Sequence, residues 1–455
     1  MNRPCQCVGA NPAEPRRAAD HAIPALSRCS PDDTSETATL PRSVHKGGNM
    51  TRTTSLRRRL RRSRWLALLA TAALLIAACG GGDDADEADD ATAAATTLAA
   101  SDDVADNTAA EATDDEGCEP GETDGDLAFY NWADYMDEEL LAAFEEEFGV
   151  SVDYTVYESN EQMLTQVESG AAIYDLVVPS DYMVALMISE DLLRPLDYDA
   201  LPNFANIDDA WDNPPFDPEH RYHVAYQWGT TGIGMTYDVL DALGGEASWA
   251  VIFDPDTAAL VPGGISMLDD APEAVSAALK YLGYSITETI ESGNEDAIRE
   301  AGVLLRETND RLLKYDSVTF GDDLVNGEVD VAHGWSGGFA QSFFETDAYE
   351  THVYTIPVEG GVRWVDTMAI PHNADNPCTA HAMINFLLDA QNGAALTNYT
   401  YYGSPNAAAT PYILDEILED PGIYPPPEVY ARLELIPQMG DLGLLVQDML
   451  FEAKS

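Results

Sequence analysis

The segment "LAFYNWADYMDEELLAAFEEEFGVSVDYTVYESNEQMLTQVESGAAIYDLVVPSDY", residues 127–182, decides the fold. Its first six residues read as a strand. Residues 137–148 then place Leu140, Leu141, Phe144 and Phe148 at helical spacing, and Gly149 stops the helix. "VSVDYTVY", residues 150–157, is a second strand. Ser159 to Gln162 form a capping-box pattern, which satisfies free N–H groups of a first turn and opens a helix ending near Gly170. "YDLVVP", residues 174–179, is a third strand, and residues 182–190 are a third helix. A β-α-β-α-β order requires right-handed crossovers and a parallel sheet, so the fold class is α/β. In open α/β sheets ligands bind beyond the carboxyl ends of the strands. The segments there are "NWADY" (131–135), "YESNE" (157–161) and "PSDY" (179–182), and each brings aromatic and acidic residues.

A second α/β block follows. "GTTGIGMTYD", residues 229–238, loosely resembles a nucleotide-binding loop, but it lacks the G-x-G-x-x-G spacing and no long helix follows. It reads as a flexible crossing between two lobes. Strands are expected at 264–268, 329–335 and 364–370, and helices at 272–282, 296–308 and 379–389. No internal repeat is visible.

At 455 residues and 45% hydrophobic content the chain can hold two or three domains with substantial cores. Its net charge of -57 is unevenly placed, because 13 of the 23 Lys and Arg lie in the first 64 residues. From Cys79 onward 10 basic residues stand against 75 acidic ones, a net charge of -65. Such a surface repels nucleic acid and attracts cations. Most of that acidity reads as a solvated, salt-adapted surface, since only a few carboxylates can reach one ligand.

The basic segment has the order of an export signal. Arg57, Arg58, Arg59, Arg61, Arg62 and Arg64 precede an apolar run, residues 65–76, too short to span a bilayer. The run ends in "IAAC" (76–79), a pattern similar to a bacterial lipobox, in which Cys79 would be lipidated and become the mature N-terminus. An ordinary signal with a chance cysteine is the alternative. Met50 fits the start of this signal better than Met1, so 1–49 are set aside as an upstream segment and 50–78 read as a lipoprotein signal peptide. Residues 79–126, mostly Gly, Asp, Glu, Ala and Thr, are expected to form an acidic, disordered tether. Cys118 and Cys378 remain beyond the signal. In an exported chain an isolated pair reads as a disulfide, with two free thiols as the alternative.

Four further stretches could carry chemistry. "DDAPE", residues 269–273, sets acids at a strand-to-helix junction, where they favour the helix dipole and also face any cleft. "HGWSGG" (333–338) and "RWVDTM" (363–368) each place a tryptophan at a strand end, where a core role is the plainer reading. Trp364 and Asp366, two apart on a strand, share a face, and a ring beside a carboxylate suits an organic cation. "TYYGSPN", residues 400–406, adds tyrosines in a turn-rich stretch. No G-x-S-x-G or H-E-x-x-H motif is present. His333 reads equally as a polar strand-end residue or a ligand. Acids with aromatics also describe glycosidases, and spacing alone does not give the carboxylate separation that would separate the two readings.

Taken in order, "FYNWADY", "VYESNEQM", "YDLVVPSDYMV", "PFDP", "WGTTGIG", "DDAPE", "NGEVDVAHGWSG", "RWVDTMAIP", "INFLL" and "SPNAAA" carry a resemblance that covers most of residues 127–454. The chain resembles the bacterial extracellular solute-binding proteins of polyamine ABC transporters, the spermidine/putrescine-binding family. The resemblance implies a two-lobe, periplasmic-binding-protein-like fold of type II with a hinge. The N-terminal lobe would hold 127–228 and 366–414, and the C-terminal lobe 229–365 and 415–455. It implies a ligand box of Trp132, Tyr135, Ser180, Tyr182, Trp335, Trp364 and Tyr402, with Asp270, Glu273 and Asp366 as ammonium partners. Ser317 aligns with a further polar contact, and the family's C-terminal glutamine falls on Gln438 or Met439. Ala133 stands where the family commonly has a hydroxyl residue, which bears on how one terminal amine is held. The implied partners are a polyamine, an ABC permease and its ATPase, and a membrane through the lipid anchor only, with no cofactor, no catalysis and a monomeric state. The implied location is the outer face of the cytoplasmic membrane. The alternatives are another small organic cation or amine as ligand, or a secreted carboxylate-based hydrolase.

Overall fold

The computed structural model describes residues 117–211 and 213–455. The upstream segment, the signal peptide, Cys79 and the tether up to residue 116 lie outside the described residues. Strand β1 (Leu127–Trp132) pairs in parallel with β2 (Val152–Tyr157) and β3 (Leu176–Val177), the arrangement that the β-α-β-α-β reading requires. Helix α1 (Glu138–Phe148) starts where the Asp137 side chain accepts from the Glu139 N–H at 2.9 Å, and ends at Gly149 with φ 73°. Helix α2 (Asn160–Ser169) starts where Ser159 Oγ accepts from the Gln162 N–H at 3.2 Å. The glutamine side chain returns the bond one residue further out, to the Glu158 N–H at 3.0 Å. Helix α3 (Asp181–Ser189) leaves directly from the end of the third strand segment.

The stretch expected to be a flexible crossing is instead part of one long strand, β4 (Val224–Thr236), buried along nearly its whole length. Its first half supplies Val224 and Tyr226 to the core around Phe129, Phe144, Met368 and Met383. Its second half supplies Ile233 and Met235 to a second core. That second core is built on β5 (Ile265–Met267), helix α4 (Ala271–Leu282) and helix α5 (Glu295–Asn309). It also includes β7 (Val331–Trp335) and a last helix described below. Strand β6 (Lys314–Tyr315) pairs with β5, and β8 (His352–Thr355) pairs with β4. Helices α6 (Phe320–Asn326) and α7 (Ser336–Thr346) flank β7. Strand β9 (Gly361–Met368) runs back antiparallel to the first half of β4, and β10 (Leu433–Glu434) lies along it. Two isolated bridges, Val177 to Ala369 and Ser180 to Asp366, stitch β9 onto the first sheet. The fold is therefore mixed α/β in two lobes, with β4 and β9 crossing between them.

The glycines of β4 make room for aromatic rings. A Cβ at Gly229 would lie 2.6 Å from Trp364, and one at Gly234 would collide with Phe339. The same residues that look like a loose glycine loop in sequence are the places where rings press on a strand.

Helices α8 (Pro377–Leu387) and α9 (Ala390–Thr400) complete the first lobe, and α10 (Leu442–Ala453) packs against α4 and α5 of the second. The fold takes hold of the chain upstream of Leu127, where composition alone placed the end of the tether. Cys118 is disulfide-bonded to Cys378, with Cα atoms 5.3 Å apart. The Asp124 carboxylate accepts from the N–H groups of Cys378 and Thr379 at 3.1 and 3.0 Å, capping the first turn of α8. A run of acids is thus pinned because one of them satisfies a helix end. Among the described residues no helix is long and apolar enough to cross a membrane.

The disulfide closes a loop with a sequence separation of 260 and ties the segment before β1 to the first turn of α8. Replacing both cysteines with serine is expected to lower unfolding stability by about 2–4 kcal/mol while leaving ligand affinity unchanged. Thermal unfolding and calorimetry on the same preparation check both parts.

Candidate functional site

The site begins with register. Strand β4 places Gln227 opposite Asp366 and Gly229 opposite Trp364 on β9, and Thr231 opposite Trp335 on β7. The bridge between Trp228 and Gly403 sets the neighbouring Tyr402 beside them. One strand thereby gathers side chains from three distant parts of the sequence.

At one end stands Asp366, only 5% exposed. Its Oδ2 accepts from the Tyr135 hydroxyl at 2.9 Å and its Oδ1 from Ser180 Oγ at 2.6 Å. Burial pushes its pKa up to about 7, and the two hydroxyl donors only partly oppose that. Asp181 lies close by, is also buried, and is likewise raised to about 7 by burial. Its carboxylate accepts from the N–H groups of Tyr182 at 2.7 Å and Val365 at 3.4 Å. Asn160 organises this end: its Nδ2 donates to Ser180 Oγ and to the Tyr182 hydroxyl, each at 3.0 Å.

From Asp366 a run of rings leads away. Tyr402 sits edge-on to both Tyr135 and Trp364, with centroids 5.2 Å from each. Trp364 Nε1 donates to Thr231 Oγ1 at 3.2 Å, and the Thr231 hydroxyl donates onward to Glu273 Oε1 at 2.9 Å. Trp335 Nε1 reaches the same oxygen at 3.3 Å, and its ring meets Trp132 at 6.5 Å. Trp132 is in turn fixed by its Nε1, which donates to the Val178 carbonyl at 2.9 Å.

Glu273 closes the far end. It is 7% exposed, and its second oxygen, Oε2, is buried with no partner among the described residues. Asp270 caps α4 by accepting from the Glu273 N–H at 3.0 Å. Burial raises the pKa of both carboxyls; the charge of Asp270 adds to the rise at Glu273, and the charges of Glu161 and Asp269 add to the rise at Asp270. None of Asp181, Asp366, Asp270, Glu273 and Glu161 makes an ion pair among the described residues. Buried carboxylates without cations are unfavourable unless the charge is met from outside the chain. No group of three or more metal-ligating side chains gathers among the described residues. The flat rings between the two acidic ends suit the methylene stretch of an organic cation.

Residues 139–425 match the family model described as "Bacterial extracellular solute-binding protein". The chain belongs to this family. As a solute-binding protein it is similar to the putrescine-binding periplasmic protein SpuD of Pseudomonas aeruginosa, with 35% identity over 69% of this chain and 87% of that one. It is also similar to the solved spermidine/putrescine ABC transporter substrate-binding protein PotD of Streptococcus pneumoniae. That match has 30% identity and a TM-score of 0.60, over 73% of this chain and 99% of the other. A third likeness is the Tp0655 (TpPotD) lipoprotein of Treponema pallidum, with 29% identity and a TM-score of 0.60, over 72% of this chain and 99% of that one.

In this solute-binding protein the residues expected from sequence at 132, 135, 180, 182, 270, 273, 335, 364, 366 and 402 come together in one connected site. Two are not bonded into it. Gln438 is exposed and its Nε2 donates to Ser189 Oγ at 3.2 Å, while its neighbour Met439 packs in the cluster that contains Trp364. Ser317 has an occluded hydroxyl with no partner among the described residues and bonds to none of the others. Sequence reasoning missed Asp181, Glu161, Asn160 and Thr231. Three of them lay inside the strand-end stretches already singled out, but an acid at a helix start has an ordinary dipole explanation that hides it. A separate cavity of about 480 Å³ lies between β8, α7 and the segment 416–423, and none of the site carboxylates lines it.

The raised carboxyls give a pH dependence with a definite sign. In the unfolded chain an Asp titrates near 4, and in the fold Asp181 and Asp366 titrate near 7. The folded form therefore holds extra protons between these values. Their contribution is complete below about pH 4 and is lost as pH rises through about 7. Thermal midpoints of the ligand-free protein are expected to fall from pH 5 to 8, and Asp366→Asn is expected to flatten that fall. An unchanged slope in the variant would contradict the assignment.

Proposed function

We propose that this chain is the substrate-binding component of an ABC importer and captures polyamines of the spermidine and putrescine class in the cleft between its lobes. The observation that carries the proposal is the pair of buried acidic ends, Asp366 and Glu273, without a cation among the described residues and joined by the rings of Tyr135, Tyr402 and Trp364 and the Thr231 hydroxyl. A polyamine has the complementary form, with ammonium groups separated by methylenes. Each ammonium leaves water only if a carboxylate receives it, and the rings exclude water from the stretch between. The ligand set is Trp132, Tyr135, Ser180, Tyr182, Asp270, Glu273, Trp335, Trp364, Asp366 and Tyr402. Ser317, with its unpaired hydroxyl, is a further contact for a bound nitrogen. The names of SpuD and PotD, which refer to putrescine and spermidine, support the choice of ligand.

The first lobe spans 127–228 with 366–414 and the second 229–365 with 415–455, joined by β4 and β9. Closing on ligand brings both acidic ends to the same molecule, and the closed form is what a membrane permease, powered by its ATPase, would receive. The chain performs no chemistry on the ligand and acts as a monomer. It is exported and held to the outer face of the cytoplasmic membrane by lipid on Cys79, with the acidic segment up to residue 116 as spacer. The order of basic, apolar and small residues before Cys79 supports this, as does the lipoprotein name of the Treponema relative.

Removing one buried partner of an ion pair typically loses about 3–5 kcal/mol. Asp366→Ala is therefore expected to weaken spermidine and putrescine binding by more than about a hundredfold. Asp134→Ala, at an exposed position on the turn after β1, is expected to change it little. Calorimetry of both variants checks this, and comparable affinities would overturn the placement of Asp366.

A further inference from the structure

We propose that Glu161 makes closure of the cleft conditional on a bound cation, by carrying a carboxylate of the first lobe up to Asp270 and Glu273 of the second. The inference rests on the cationic reading of the cleft. It goes beyond it by assigning the discrimination between charged and neutral solutes to a residue outside the ligand-holding set.

Glu161 is the second residue of α2. Its neighbour Asn160 fixes that turn through three bonds, two to Ser180 and one to the Tyr182 hydroxyl, at 3.0–3.2 Å. The backbone at 161 therefore cannot drift from the cleft edge without breaking a buried network. From the second lobe, Gln447 of α10 donates to Glu161 Oε1 at 3.2 Å. Helix α10 packs on α4, whose N-terminus carries Asp270 and Glu273. The charge of Glu161 acts on Asp270 across the cleft, and both act on the Tyr182 hydroxyl between them.

Gln447 can hold the Glu161 carboxylate in position but, being neutral, cannot cancel its charge. None of the basic residues that form ion pairs in the described chain pairs with Glu161, Asp270 or Glu273. When the lobes part, water solvates the two sides separately, and each acid sits in a first helical turn whose dipole favours its ionised form. When they close, the acids approach in a medium of lower dielectric, where they repel more strongly or must take up protons, and either opposes closure. An ammonium placed among them turns that repulsion into attraction, and the Gln447 bond then latches the closed form. A neutral solute of the same length would have to close the lobes against the repulsion.

The test is the ligand-free distribution of lobe separations, read by single-molecule fluorescence transfer between one dye on each lobe of the whole exported chain. Wild type, Glu161→Gln and Asp134→Asn are compared, the last removing an exposed acid elsewhere on the first lobe. At low salt, Glu161→Gln is expected to raise the ligand-free closed fraction about threefold or more, with Asp134→Asn unchanged. In wild type, raising salt from roughly 0.02 to 0.5 M should raise the closed fraction, because Glu161 and Asp270 stay partly exposed with the lobes together and salt screens their repulsion there, and the Glu161→Gln variant should respond far less. A Glu161→Gln distribution equal to wild type would overturn the proposal, and so would a wild-type closed fraction indifferent to salt. The second readout needs no variant, so a misfolded variant leaves the proposal testable. Neither readout needs an amine. Spermidine titration of wild type in parallel shows separately whether the polyamine reading fails.

Discussion

The carboxylate of Asp366 is buried against two hydroxyl donors and no cation, and the rest of the cleft follows from that unmet charge. Tyr135 and Ser180 orient it, Asn160 orients Ser180, and β4 fixes the strand that carries it. The far end repeats the arrangement with Glu273, held by Thr231 and Trp335 through one oxygen while the other stays unpaired. A fold that only had to be stable would have no reason to keep two such acids. Apolar replacements of buried charges are often neutral or stabilising. Their retention makes sense as stability given up at a site that a cationic ligand completes.

Much of this was legible in the sequence, for specific reasons. The apolar spacing of residues 127–179 determined three parallel strands because burial leaves few other ways to arrange that pattern. The two-residue spacing of Trp364 and Asp366 placed them on one face because strand side chains alternate. Residues 229–238 read as a flexible crossing rather than a strand, since a glycine opposite a tryptophan ring cannot be told from a glycine in a turn without the partner strand. Residues 118–126 looked like tether because their composition is that of disorder, whereas one disulfide and one helix-capping carboxylate hold them. Gln438 illustrates another limit. A neighbour-level alignment cannot decide which of two adjacent residues faces a cleft, and the side chain that packs in the cluster with Trp364 is Met439.

The two strands that cross between the lobes link binding to motion. Thr231 bonds both Trp364 of one crossing strand and Glu273 of the second lobe, so the hinge and the far acidic end are one hydrogen-bonded unit. On the proposed reading, a cation that reaches Glu273 also biases the hinge, and no separate relay is needed. The overall negative charge plays a different part. It draws cations toward the surface, while selection among them occurs at the few acids that are buried.

On the proposed reading, amine charge replaces protons on these acids when the ligand binds. At pH about 7 the empty site holds protons on part of its carboxyls, whereas an occupied site requires them ionised. Calorimetric titration with spermidine in buffers of different ionisation enthalpy measures this directly. Net release of protons on binding is the predicted result. Binding with no proton exchange, or with uptake, would contradict it.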